Sequence, residues 1–76
     1  MPRYYFNATD DAGSFQEHEG VEYDTIEKAR DAAIQTLTEM ARSIAPGETR
    51  RDFVITVQDE SGSRIRATLS LRVESL

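Results

Sequence analysis

From residue 64 to residue 74 the chain alternates without a break. Ile65, Ala67, Leu69, Leu71 and Val73 fall on one face, and Arg64, Arg66, Thr68, Ser70, Arg72 and Glu74 fall on the other. Side chains repeat every two residues along a β-strand, so a pattern this long fixes an antiparallel strand with one face in a core and the other turned to water or a partner. The outward face carries three arginines in a chain whose net charge is -5. Such a strand needs neighbours to pair with and an apolar layer to cover it.

The rest of the sequence supplies both. Tyr4, Phe6 and Ala8 alternate with Arg3, Tyr5 and Asn7, and aromatics suit the half-buried surface of a sheet, which predicts a first strand. Asp10-Asp11-Ala12-Gly13 has turn chemistry and predicts a hairpin. Its second arm runs through Ser14 to Gln16, breaks over Glu17 to Gly20 and resumes at Val21 to Tyr23. Phe53, Ile55 and Val57 alternate with Val54, Thr56 and Gln58, a third strand that turns through Asp59-Glu60-Ser61-Gly62 into the strand at 64 to 74.

Between the two hairpins lies a helix. Asp24, with Glu27 three residues on, has the form of a capping box, which predicts a helix from Thr25. Ile26, Ala29, Ala33, Leu37, Met40 and Ile44 recur at spacings of three and four, and Ile34 and Ala41 widen the stripe, as in an amphipathic helix packed on a sheet. Pro46 and Gly47 stop it after Ala45, at a length of roughly 30 Å. Asp24 and Glu27 at its start and Arg42 near its end favour the helix dipole.

The chain therefore reads as an α+β protein of order β-β-α-β-β, a four-stranded antiparallel sheet with one long helix packed on one face, in a single domain over residues 1–76. The simplest fully antiparallel sheet, counting four strands along the chain, has the order 2-1-3-4. One helix covers one face. The opposite face gathers Arg3, Tyr5, Asn7, Val54, Thr56, Arg64, Arg66, Thr68 and Arg72, and Arg3, Tyr5, Val54, Thr56, Arg64, Arg66 and Arg72 are the candidate contact residues for a partner or ligand.

With 76 residues and no cysteine, the chain has neither disulfides nor thiolate metal sites, and a domain of this size buries only about 60% of its unfolded surface. Oligomerisation is the staple left to it, which predicts a homodimer. No apolar stretch has signal-peptide length or approaches the roughly 20 residues that span a membrane, so a cytoplasmic location is expected. The charge is uneven: residues 10 to 39 hold nine carboxylates against Lys28 and Arg30, while residues 40 to 76 hold six arginines against five carboxylates. Mean acidity argues against a general phosphate binder, because nucleic-acid affinity grows with the phosphates neutralised.

Pro2-Arg3-Tyr4-Tyr5-Phe6, the Glu19-Gly20-Val21-Glu22 step, the Ala29 and Ala33 helix pattern and the Asp59-Glu60-Ser61-Gly62 turn together resemble a family of short uncharacterised bacterial proteins that begin Met-Pro-Arg-Tyr-Tyr-Phe. The resemblance covers nearly the whole chain and implies a β-β-α-β-β domain without an established activity. Asn7 and His18 stand where that family commonly has an acidic residue, which weakens any shared acidic site.

Three chemical readings compete with a plain interaction module. Glu17-His18-Glu19, with Asp10 and Asp11, could hold a divalent cation, but Ala12 breaks the alternating calcium-loop pattern and a solvated acidic loop is the simpler reading. Removal of Met1 would leave Pro2 as an amino-terminal secondary amine, the base of small tautomerases, with Arg3, Arg64 or Arg66 as electrostatic partners. Those enzymes follow the first strand with a long helix, however, and proline also suits the start of an edge strand. The arginine face with Tyr5 is the combination by which sheets hold single-stranded nucleic acid, and the hairpin before an acidic, alanine-rich helix is similar in part to antitoxin domains of the HicB type. A pI near 4.7 opposes nucleic-acid binding. Eight arginines against one lysine, with Tyr5 and Val54 amid Thr, suit a protein interface, where Tyr and Arg are enriched and Lys is scarce. The sequence thus favours a non-catalytic homodimeric interaction or structural module, with no cofactor, metal or catalytic residue expected.

Overall fold

A computed structural model describes residues 2–10, 13–16, 20–62 and 64–76, with residues 14–16 described by their backbone. The elements are β1 (Arg3–Asp10), β2 (Gly13–Gln16), β3 (Val21–Glu22), α1 (Ile26–Met40) with a 3₁₀ turn (Ala41–Ser43), β4 (Arg50–Asp59) and β5 (Arg64–Arg72). All pairings are antiparallel, in the order β2-β1-β4-β5, with β3 continuing the second hairpin arm beside β1. This is the 2-1-3-4 order with its second arm in two pieces. Helix and sheet form the two layers expected from the alternation and the helical stripe.

Both hairpins are closed by an aspartate. The Asp10 carboxylate accepts the Gly13 N–H at 3.0 Å. The Asp59 carboxylate accepts the Ser61 N–H at 2.9 Å and its hydroxyl at 2.7 Å, while Gly62, at φ +96°, donates its N–H to the Asp59 carbonyl. A β-branched residue at that positive φ would be strained, so glycine is needed there.

The helix differs from the sequence expectation at both ends. Thr25, not Asp24, is the N-cap: its backbone is extended and its hydroxyl oxygen accepts the Lys28 N–H at 3.3 Å. Lys28 stands three residues beyond Thr25, the reach of a cap, and Asp24 instead pairs with the Lys28 ammonium at 3.1 Å. The α-helical turns end at Met40, and after the 3₁₀ turn Ile44 is already extended. Two causes act together. Pro46 disfavours a helical Ala45, and the Glu48 carboxylate takes the Ala45 N–H at 2.6 Å.

The buried core is Tyr4, Ala29, Ala33, Leu37, Phe53, Ile55 and Val57, and its fully enclosed large side chains, Phe53, Ile55 and Val57, all belong to β4. A helix about 10 Å across spans roughly two strands at about 4.8 Å spacing, so the strand beneath its axis is sealed and the outer ones are not. On the β1 side an apolar hollow of about 200 Å³ lies between Ala32 and Thr36 of the helix and Phe6, Ala8 and Tyr23. On the β5 side Leu69 is 38% exposed, and Ile34, on the helix flank opposite Ala32 and Thr36, is 49% exposed. Both were expected to be covered. The apolar stripe is wider than the contact one helix can make.

Arg51 ties the sheet to the end of the helix. Its guanidinium lies 4.8 Å from the centroid of the Phe53 ring and donates to Glu48 at 3.0 and 3.2 Å and to the Ser43 hydroxyl at 3.3 Å, with the Asp10 carboxylate at 3.7 Å. At the other end Tyr23 packs its ring against Tyr4 and Phe6, with centroids 6.2 and 6.3 Å apart.

Candidate functional site

The strand register sets out the uncovered face row by row. Tyr5, Gln58 and Arg64 are neighbours across three strands, followed by Asn7, Thr56 and Arg66, then Thr9, Val54 and Thr68. Beyond them come the pairs Asp52 with Ser70 and Arg50 with Arg72, while Arg3 at the opposite end faces Glu22 of β3. Arg3, Tyr5, Val54, Thr56, Arg64, Arg66 and Arg72 therefore share one side of the sheet, away from the helix.

Their electrostatics divide them. Arg3 donates to the Glu22 carboxylate at 3.2 Å, and its stem and the Tyr5 ring lie close beneath Gly20. Arg72 donates to Asp52 at 3.1 Å, the same oxygen that accepts the Ser70 hydroxyl at 2.9 Å. Those bonds, Ser70 first and Arg72 second, hold the Asp52 carboxyl below its ordinary pKa. Arg64 and Arg66 form no ion pair among the described residues. Glu22, Asp52 and Gly20 are not among the candidate contact residues read from the sequence. Only strand pairing, which is non-local, brings them to the arginines.

This arrangement limits the chemistry. Two uncommitted guanidinium groups on a chain of net charge -5 would neutralise about two phosphates, which supplies little nucleic-acid affinity. Pro2 is exposed, with its carbonyl accepting the Tyr23 N–H at 3.2 Å, and Arg64 and Arg66 stand two strands from β1, roughly 10 Å across the sheet. They are not gathered about the proline. Asp11 and Glu17-His18-Glu19 lie outside the described residues. No helix among the described residues is long and apolar enough to cross a membrane.

The two outer edges of the sheet are unlike. One is made of β2 and β3, four and two residues long, with Gly20 at φ +77° directly before β3. The other is β5, nine residues without a proline or a glycine. Long regular edges offer unpaired backbone groups to any strand that approaches. The Val73 N–H donates to the Thr49 carbonyl at 2.9 Å, which extends the β4–β5 ladder by one hydrogen-bonded pair and fixes its phase. Odd-numbered residues of β5 thus bond to β4, while Arg64, Arg66, Thr68, Ser70 and Arg72 direct their N–H and C=O groups outward. On the helix side that edge carries exposed apolar residues: Leu69, Ile34 and Val73, the last 57% exposed.

No curated protein and no solved structure matches this chain. Residues 3–72 match the family DUF6894, a domain of unknown function, and the chain belongs to that family.

Proposed function

We propose that the chain is a small non-catalytic interaction module that works as a homodimer in the cytoplasm, with self-association along the free edge of β5. The observation that carries this reading is the coincidence on one edge of a nine-residue strand with outward backbone groups and an exposed apolar flank of Ile34, Leu69 and Val73. Edges of this kind in monomers are normally shortened, bulged, covered or charged, with the charges, most often lysines, on the edge itself or pointing toward the core. The core side of β5 holds only Ile65, Ala67, Leu69 and Leu71. The arginines lie on the opposite side, where they leave backbone pairing open. Docking along the edge leaves Tyr5, Val54 and Thr56 free, so the module retains a face for a further partner.

Light scattering or sedimentation at tens of micromolar tests the reading. The expected mass is that of two chains, falling toward one on dilution. A single-chain mass at every concentration up to the millimolar range would end it.

A further inference from the structure

We infer that two copies pair antiparallel through β5 in one register, centred on Ser70, so that Arg66 of each copy faces the partner's Glu74. This rests on the homodimer proposed above and specifies which atoms meet. In a two-fold antiparallel pair, residues opposite one another have numbers that add to twice the central residue, and their side chains lie on the same side of the sheet.

Charge selects the centre. With Thr68 at the axis, Arg64 would face the partner's Arg72, and with Leu69 at the axis, Arg66 would face the partner's Arg72. Each would place two pairs of like charges directly opposite, which is destabilising, although at the Leu69 centre Arg64 would at the same time face the partner's Glu74. Centres at Ala67 or Leu71 set no opposite charges together, and Ala67 leaves Val73 uncovered. With Ser70 at the axis, Arg66 faces the partner's Glu74 twice and no like charges are opposed. Arg66 makes no ion pair among the described residues of its own chain, and Glu74 is exposed and likewise without one. Arg72 then faces the partner's Thr68 and comes diagonally near the partner's Arg66, but it already carries Asp52 at 3.1 Å.

The same register satisfies the other two features of the edge. Of the five residues with outward backbone groups, Arg66, Thr68, Ser70 and Arg72 meet one another or the partner's Glu74 as hydrogen-bonded pairs. On the helix side Leu69 meets the partner's Leu71, and Ala67 meets the partner's Val73, so two exposed apolar side chains leave water. The product is one continuous sheet with both helices on the same face.

The chain has no cysteine, so single cysteines report the register directly. Thr68→Cys, Leu69→Cys and Ser70→Cys are each oxidised at a concentration where the parent is dimeric. Ser70→Cys is expected to form a disulfide-linked dimer at least tenfold faster than the other two. The copies of residue 69 would be offset by two residues, about 7 Å along the strands, beyond the reach of a disulfide without backbone movement. Faster linking at Thr68 or Leu69 overturns the Ser70 register. No linking from a dimeric parent overturns edge pairing but leaves the homodimer standing, whereas a monomeric parent removes both. Charge exchange supplies a second readout: Arg66→Glu and Glu74→Arg should each weaken the dimer about tenfold, and a mixture of the two should restore it as a heterodimer. Failure of the mixture to associate contradicts the Arg66–Glu74 pairing.

Discussion

Gly20 shows what a single missing side chain does on the open face. Its φ of +77° is a conformation that L-residues rarely adopt, and a methyl group there would come within 2.6 Å of Arg3 Cγ and 2.9 Å of Tyr5 Cε1. Gly20→Ala should therefore cost about 1–2 kcal/mol in a urea unfolding titration, from the left-handed backbone alone, with more if Arg3 and Tyr5 cannot move aside. An unchanged midpoint would mean that this segment does not lie over β1 as described. In the sequence the glycine stands out as the end of an irregular break after Gln16 and as part of the Glu19-Gly20-Val21-Glu22 step. That it rests on Arg3 and Tyr5 follows from β3 pairing with the start of β1, a contact that no local pattern encodes.

At the scale of elements, two carboxylates set an acid limit. The Ala45 N–H and then Arg51 hold Glu48 below its ordinary pKa, and Ser70 and then Arg72 do the same for Asp52. Groups whose folded pKa is depressed contribute stability above their unfolded values, about 4, and lose it as pH falls through the folded ones. The melting temperature should accordingly be flat from pH 7 to 5 and fall below pH 4. Glu48→Gln with Asp52→Asn should start lower and respond less to acid, and an unaltered slope would show that these bonds do not form. How far such detail was legible differs by element. The strands at 3 to 9, 53 to 58 and 64 to 74 follow from period-two alternation, because one buried face forbids any other phase, although the last of them ends at Arg72, two residues short of its alternating pattern. The helix was legible in its apolar stripe but not in its ends, since Thr25 and Asp24 are both competent caps and only geometry chooses. Ile34 and Leu69 were misplaced for a related reason: amphipathicity tells which face is apolar, and how much of it one helix can cover is a matter of width.

The whole molecule is open for its size. It exposes 5484 Å², whereas a compact monomer of 8.6 kDa exposes roughly 4700 Å². Its radius of gyration is 14.0 Å, against roughly 11 Å for a compact chain of this length. A thin core, a bare apolar edge and the absence of cysteine are the observations on which the proposed dimer rests. Amide hydrogen exchange followed residue by residue by NMR tests this most directly, because β5 carries its own control. Ile65, Ala67, Leu69 and Leu71 donate to β4 in monomer and dimer alike, whereas Arg66, Thr68, Ser70 and Arg72 have a backbone partner only in the dimer. The expected result is slow exchange in both sets at high concentration, with the even-numbered set becoming fast on dilution. Fast exchange of Arg66, Thr68, Ser70 and Arg72 at every concentration, beside slow exchange of their odd-numbered neighbours, would show that the edge of β5 faces water and that the proposed dimer does not form through it.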